Sequence, residues 1–168
     1  MKKMVIGLVL ALALFIGASA LADGPVLMVE LPENAAMVEN FEFEDGDFVQ
    51  TYQIPGGVTV QILRYAAFDM TLEELMEGEW AGYTAAEKLD MDSIDGYPAQ
   101  GMHLTYVQES EGSGQEMSVY TMMLEVQKQK LIFQAVFPKS LGDARIEADM
   151  QTWMDSMTVS GAEDREVG

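Results

Sequence analysis

Cysteine is missing from this 168-residue chain, and histidine occurs once. The first absence excludes disulfides, thiolate metal sites, cysteine nucleophiles and the acyl anchor that needs a cysteine just behind a cleaved leader. The second leaves any serine–histidine–acid triad or multi-histidine metal site hanging on His103 alone, a residue in mid-strand with no nucleophile motif beside it. Basic side chains are scarce as well: nine Lys and Arg stand against 28 Asp and Glu, for a formal net charge of −19. A field of that sign repels phosphate backbones and anionic headgroups, so nucleic acid is excluded as a partner and cationic partners or divalent ions are favoured. Solubility in an extracytoplasmic space is the preferred reading of the acidity, ahead of an acidic binding face. Long apolar runs are also lacking. The one present, Met4 to Ile16, is shorter than the ~20 residues of a membrane span.

That run follows Met1-Lys2-Lys3 and precedes Gly17-Ala18-Ser19-Ala20-Leu21-Ala22, the pattern of a secretory signal peptide cleaved after Ala22, with Ala20 as the alternative site. The expected organisation is therefore a signal over 1–22, a lead-in over 23–47, a single domain over 48–159 and a disordered tail over 160–168. The expected location is the periplasm or the extracellular medium, without a lipid anchor.

In the lead-in, Val26 to Leu31 reads as an edge strand stopped by Pro32, and Glu42 to Asp47 as a strand end with a solvated acidic turn at Asp45-Gly46. Phe48 to Ile54 and Val58 to Tyr65 alternate on either side of Pro55-Gly56-Gly57, which predicts a hairpin. The period then changes. Leu72, Leu75, Met76, Trp80 and Tyr83 share one helical face, with Thr71 and Glu74 at capping-box spacing. The turn Ser93-Ile94-Asp95-Gly96-Tyr97-Pro98-Ala99 organises the second half of the domain: a strand over Gln100 to Glu109, a flexible loop over Ser110 to Gln115, and two further strands joined at Gln127 to Lys130. Leu141 to Ser156 reads as a second helix, with Ser140 as its N-cap and Ile146, Met150, Trp153, Met154 and Met157 on one face. The last two strands are apolar on both sides, so each face of the sheet needs a cover. The expected fold is α+β, an antiparallel sheet with a helix layer on each face.

From Val58 to Val159 this order of elements resembles the PsbP-like superfamily and its DcrB-like periplasmic branch. The resemblance is carried by Val58 to Phe68, by Met70-Thr71-Leu72-Glu73-Glu74-Leu75, by Ile94-Asp95-Gly96-Tyr97-Pro98-Ala99, by the three-stranded meander and by Trp153-Met154. It implies a three-layer α/β/α sandwich acting as a non-catalytic accessory or binding module, with no catalytic residues to carry over.

Residues with a claim to chemistry each have a plainer reading. Asp90, Asp92 and Asp95 approximate a calcium-loop opening, but the spacing is one residue too long and position 101 is glycine, so solvated strand-end acids are preferred. With 28 carboxylates on offer, no pair singles itself out for glycoside hydrolysis. Methionine is abundant, at 14 residues. Met150, Met154 and Met157 would suit Cu(I), yet they share a face with Ile146 and Trp153, so core filling is preferred over a soft docking groove or a metal site. No catalytic, cofactor-binding or metal-binding residue is assigned. The sequence is read as an exported, non-catalytic accessory or binding domain for a protein or peptide partner, not as an enzyme. A methionine- or carboxylate-based metal-handling protein is the alternative, and a hydrolase the third reading.

Overall fold

The computed structural model describes residues 24–66, 69–80 and 82–162, so the stretch read as a signal peptide, 1–22, and residues 163–168 of the stretch read as a tail lie outside the described residues. Ten strands and two α-helices follow one another as β1 (Val26–Met28), β2 (Ala36–Glu42), β3 (Phe48–Ile54), β4 (Val58–Tyr65), α1 (Leu72–Glu79), β5 (Ala85–Lys88), β6 (Ser93–Ile94), β7 (Tyr97–Ser110), β8 (Ser113–Val126), β9 (Gln129–Pro138), α2 (Asp143–Ser156) and β10 (Thr158–Ser160). The main sheet is antiparallel in the order β2-β3-β4-β9-β8-β7-β5, with β6 paired to β7. β1 and β10 form a separate two-stranded ribbon. Val26 and Leu27, in the stretch read as a lead-in, are therefore buried in the core, and Ser160 ends a strand rather than opening a tail.

Alternation decides the two faces. On the first, Val60 and Ile62 of β4, Met122 and Leu124 of β8, and Leu131, Phe133, Ala135 and Phe137 of β9 meet Ile146, Met150 and Trp153 of α2. The Trp153 ring stacks on Phe137 at 5.4 Å and meets Phe133 edge-on at 6.3 Å. On the second, Met102, Leu104, Val119, Met123 and Ile132 meet Leu72, Leu75 and Met76 of α1.

The three-layer sandwich expected from the sequence is not what forms. Of the described residues 53% are strand and 18% helix, so the fold is dominated by its sheet. The reason is dimensional. A helix of eight residues is ~12 Å long, whereas seven neighbouring strands spread over roughly 30 Å, so α1 covers one part of its face and cannot form a layer.

Local signals fare better. Thr71 and Glu74 form the reciprocal capping box at the start of α1. Asp95 (φ 49°) and Gly96 (φ 75°) turn β6 into β7 as a two-residue hairpin, and Asp95 Oδ2 accepts the Val159 amide at 2.8 Å, tying this turn to β10. Two details differ from expectation. Ser140 lies in a short 3-10 turn and Gly142 precedes α2 with no side-chain cap. The loop read over Ser110 to Gln115 is a tight turn at Glu111-Gly112, because Ser110 pairs with Ser113.

Candidate binding groove

Residues opposite one another in an antiparallel ladder share a face, so the register can be followed across strands. On the second face Glu39 of β2 stands opposite Thr51 of β3, Thr51 opposite Gln61 of β4, Gln61 opposite Gln134 of β9, and Gln134 opposite Thr121 of β8. Five polar side chains thus form one row across five strands. Hydrogen bonds link most of it: Thr51 Oγ1 donates to Glu39 Oε2 (2.8 Å), Gln61 Nε2 to Thr51 Oγ1 (3.3 Å), and Gln134 Nε2 to Thr121 Oγ1 (3.3 Å). Thr51, Thr121 and Gln134 are buried, and buried polar groups are retained at low cost only when paired in this way.

Beside the row, the uncovered strip left by α1 becomes an open groove with a volume of ≈ 470 Å³. Thr59, Gln61, Gln134 and Val136 form its floor, and Glu79 and Trp80, at the end of α1, stand against Tyr106 and Gln108 of β7. Glu79 Oε2 accepts Gln134 Nε2 at 3.2 Å, so the helix end is tied to the polar row. The Trp80 and Tyr106 rings lie 4.9 Å apart at a tilt of 46°. Trp80 Nε1 is buried with no acceptor among the described residues. Burial raises the Tyr106 hydroxyl above its ordinary pKa, and burial followed by the charges of Glu79 and Asp47 does the same to Tyr65. Amide side chains that both donate and accept, an aromatic wall and one carboxylate can hold a polar, extended ligand. Sequence reading missed this site. The signal that could have found it was the interruption of apolar inward positions by Thr121 and Gln134, but only the register shows that the interruptions coincide.

The residues singled out from the sequence lie elsewhere. His103 Nε2 is 2.6 Å from Ser118 Oγ, Nδ1 is 3.0 Å from Glu87 Oε1, and the ring stacks on Tyr120 at 4.3 Å. A serine, a histidine and an acid are thus in line, but Ser118 is 2% exposed and lies in an interior strand. Asp95 serves the Val159 amide, and no group of three His, Asp or Glu among the described residues is arranged to hold a metal ion. Asp45 Oδ1 accepts the Asp47 amide at 3.1 Å, closing the acidic turn on itself. Met150 and Met157 are buried in the cluster beneath α2, and Met154 packs half-buried at its margin.

Among the described residues no helix is long and apolar enough to cross a membrane. No protein-family model matches the chain, and no curated protein matches it in sequence. Among solved structures, it is similar to LpqN, a protein involved in cell envelope biogenesis of Mycobacterium tuberculosis, at 10% identity and a TM-score of 0.45, over 82% of this chain and 84% of that one. The likeness is too distant to carry a function across.

Proposed function

We propose that this chain is an exported, non-catalytic accessory or binding domain of the PsbP-like kind, and that it takes a protein or peptide partner in the groove beside α1. The observation that carries the reading is the convergence of Gln61, Gln108, Gln134 and Glu79 on one open groove walled by Trp80 and Tyr106. Primary amides pair with peptide groups through both a donor and an acceptor, the two rings provide apolar area, and the carboxylate suits a cationic side chain. The acidic field of the whole chain favours the same kind of partner.

The test is capture from envelope extract by the wild-type protein and by Gln61→Arg with Gln108→Arg, which fills the groove; of the polar row this removes only the Gln61 bond to Thr51 Oγ1, and Thr51 still donates to Glu39. The expected result is a specific partner retained by the wild type and lost by the double variant. Equal retention by both, or no specific partner at all, rules the groove out as the site.

A further inference from the structure

The sheet has two outer edges, and they differ. β5 is four residues long, and its Lys88 is paired with Glu73 at 2.8 Å, which is the short, charged form that discourages strand addition. β2 runs for seven residues, all exposed, and no strand among the described residues pairs with its outer side. Four large apolar side chains are exposed within one stretch here: Met37 (38%), Val38 (58%), Phe41 (53%) and Phe43 (50%). Phe41 and Phe43 meet edge-on at 4.6 Å, so they present one apolar ridge. A register shift between Met37 and Glu39 leaves Val38 unpaired with β3, while Glu39 to Glu42 pair regularly with it.

Charge decides what fits this edge. Glu39, Glu42, Glu44, Asp45 and Asp47 lie on or next to β2, no Lys or Arg lies between positions 36 and 47, and the buried Arg64 answers Glu42. A second copy pairing antiparallel would bring two such acidic strands together, which is repulsive. An anionic surface is repelled for the same reason.

We propose that the outer edge of β2 is a strand-addition site for an extended segment of a protein partner in which basic and apolar side chains alternate. The segment extends the ladder through its main chain, with an apolar residue beside Phe41 on the second face and basic residues beside Asn40 and Glu42 on the first. This site is separate from the groove and does not depend on it.

The probe is an acetylated, amidated peptide of alternating lysine and valine, with the glutamate-for-lysine peptide as its counterpart, followed by calorimetry and amide hydrogen exchange. The lysine peptide is expected to slow exchange over residues 36–43, and the glutamate peptide to leave it unchanged. Val38→Ser with Phe41→Ser keeps the charge and changes only exposed positions; it is expected to weaken binding by about tenfold or more. The groove variant Gln108→Arg is expected to bind the peptide as the wild type does. Equal binding of both peptides, protection elsewhere in the sheet, or no loss in the serine variant overturns the proposal. So does concentration-dependent dimerisation, or partition into phosphatidylcholine vesicles, that the serine variant abolishes, because the occupant is then a second copy or a bilayer.

Discussion

Arg64 Nη2 donates to Glu42 Oε1 at 3.0 Å across the intervening strand β3, with the guanidinium 1% exposed and the carboxylate 33%. Arg64 also donates through Nε to the Gly46 carbonyl (3.0 Å) and through Nη1 to that of Pro25 (3.4 Å), and it lies 5.7 Å over the Phe48 ring. One side chain of β4 thereby holds the stretch before β1, the strand β2 and the turn leading to β3. Among the described residues, this is how the amino-terminal part of the chain is fixed to the sheet edge that carries Phe41.

Neutralising one partner of a buried pair leaves the other charge uncompensated. Because Glu42 is partly solvated, Glu42→Gln is expected to cost about 1–3 kcal/mol rather than the full penalty of a buried charge. Arg64→Met should be destabilising too, by stranding the carbonyls of Gly46 and Pro25. The double variant should cost less than the sum of the singles by about 0.5 kcal/mol or more. Urea midpoints of the four proteins measure this. Strict additivity means that the pair contributes no coupling.

Arg64 also shows where sequence reading stops. Val58 to Tyr65 alternates, and a basic residue near the end of such a run looks like a solvated strand end, although Arg64 lies on the buried face with Val58, Val60 and Ile62. Signals confined to a few neighbouring residues were readable: the Thr71–Glu74 cap, the Asp95-Gly96 turn and the apolarity of β8 and β9 on both sides. Features that depend on pairing between distant segments were not. The polar row from Glu39 to Thr121 exists only in register, and β2 lacks the alternation that marks a strand because it covers no core. The helix layers failed for a different reason: the spacing revealed which side of each helix is apolar, but not that eight residues cover so little of the sheet.

At the methionines, burial separates core from metal. Met150 is 2% exposed beneath α2, so Met150→Leu, which keeps volume, should cost less than about 1.5 kcal/mol. Met150→Ala should cost about 2–5 kcal/mol through the cavity it leaves. Met154, half-buried at the margin, should tolerate alanine better than Met150. Thermal melts with and without Cu(I) read both effects. Tight copper binding abolished by leucine at Met150, Met154 and Met157, with metal-free stability unmoved, would make these residues the site and overturn the core reading.

Four tyrosines tie stability to alkaline pH. Burial is the largest cause raising the hydroxyls of Tyr52, Tyr65, Tyr106 and Tyr120 above their ordinary value of 10.0, and neighbouring carboxylates add to the rise at Tyr65 and Tyr120. In the unfolded chain these groups lose their protons first. The stability they contribute is therefore complete below about pH 10 and falls as the pH rises through their higher folded values. Phenolate absorbance should accordingly rise late, together with a drop in urea midpoint, and Tyr65→Phe should flatten that drop. Ionisation of all four at the ordinary value with the fold intact contradicts the burial of these hydroxyls.

The sharpest challenge to a non-catalytic reading is the line Ser118–His103–Glu87, whose distances of 2.6 and 3.0 Å would suit a nucleophile, a base and an orienting acid. Two features argue against catalysis. Ser118 is 2% exposed, so its hydroxyl cannot meet an incoming carbonyl without movement of the sheet. It also sits opposite Thr105 of β7 and Phe137 of β9, in a strand paired on both sides, where backbone amides are committed to ladders and no pair is free to stabilise an oxyanion. What remains is a polar cluster that satisfies the one imidazole of the chain beside the Tyr120 ring. A fluorophosphonate probe, which phosphonylates activated serines, should therefore leave the folded protein unlabelled. Ser118→Ala should cost about 1 kcal/mol through the lost partner of His103 Nε2 and should leave partner capture intact. A phosphonyl adduct located on Ser118 and abolished by His103→Ala would establish an activated nucleophile, and the hydrolase reading would then displace the binding domain.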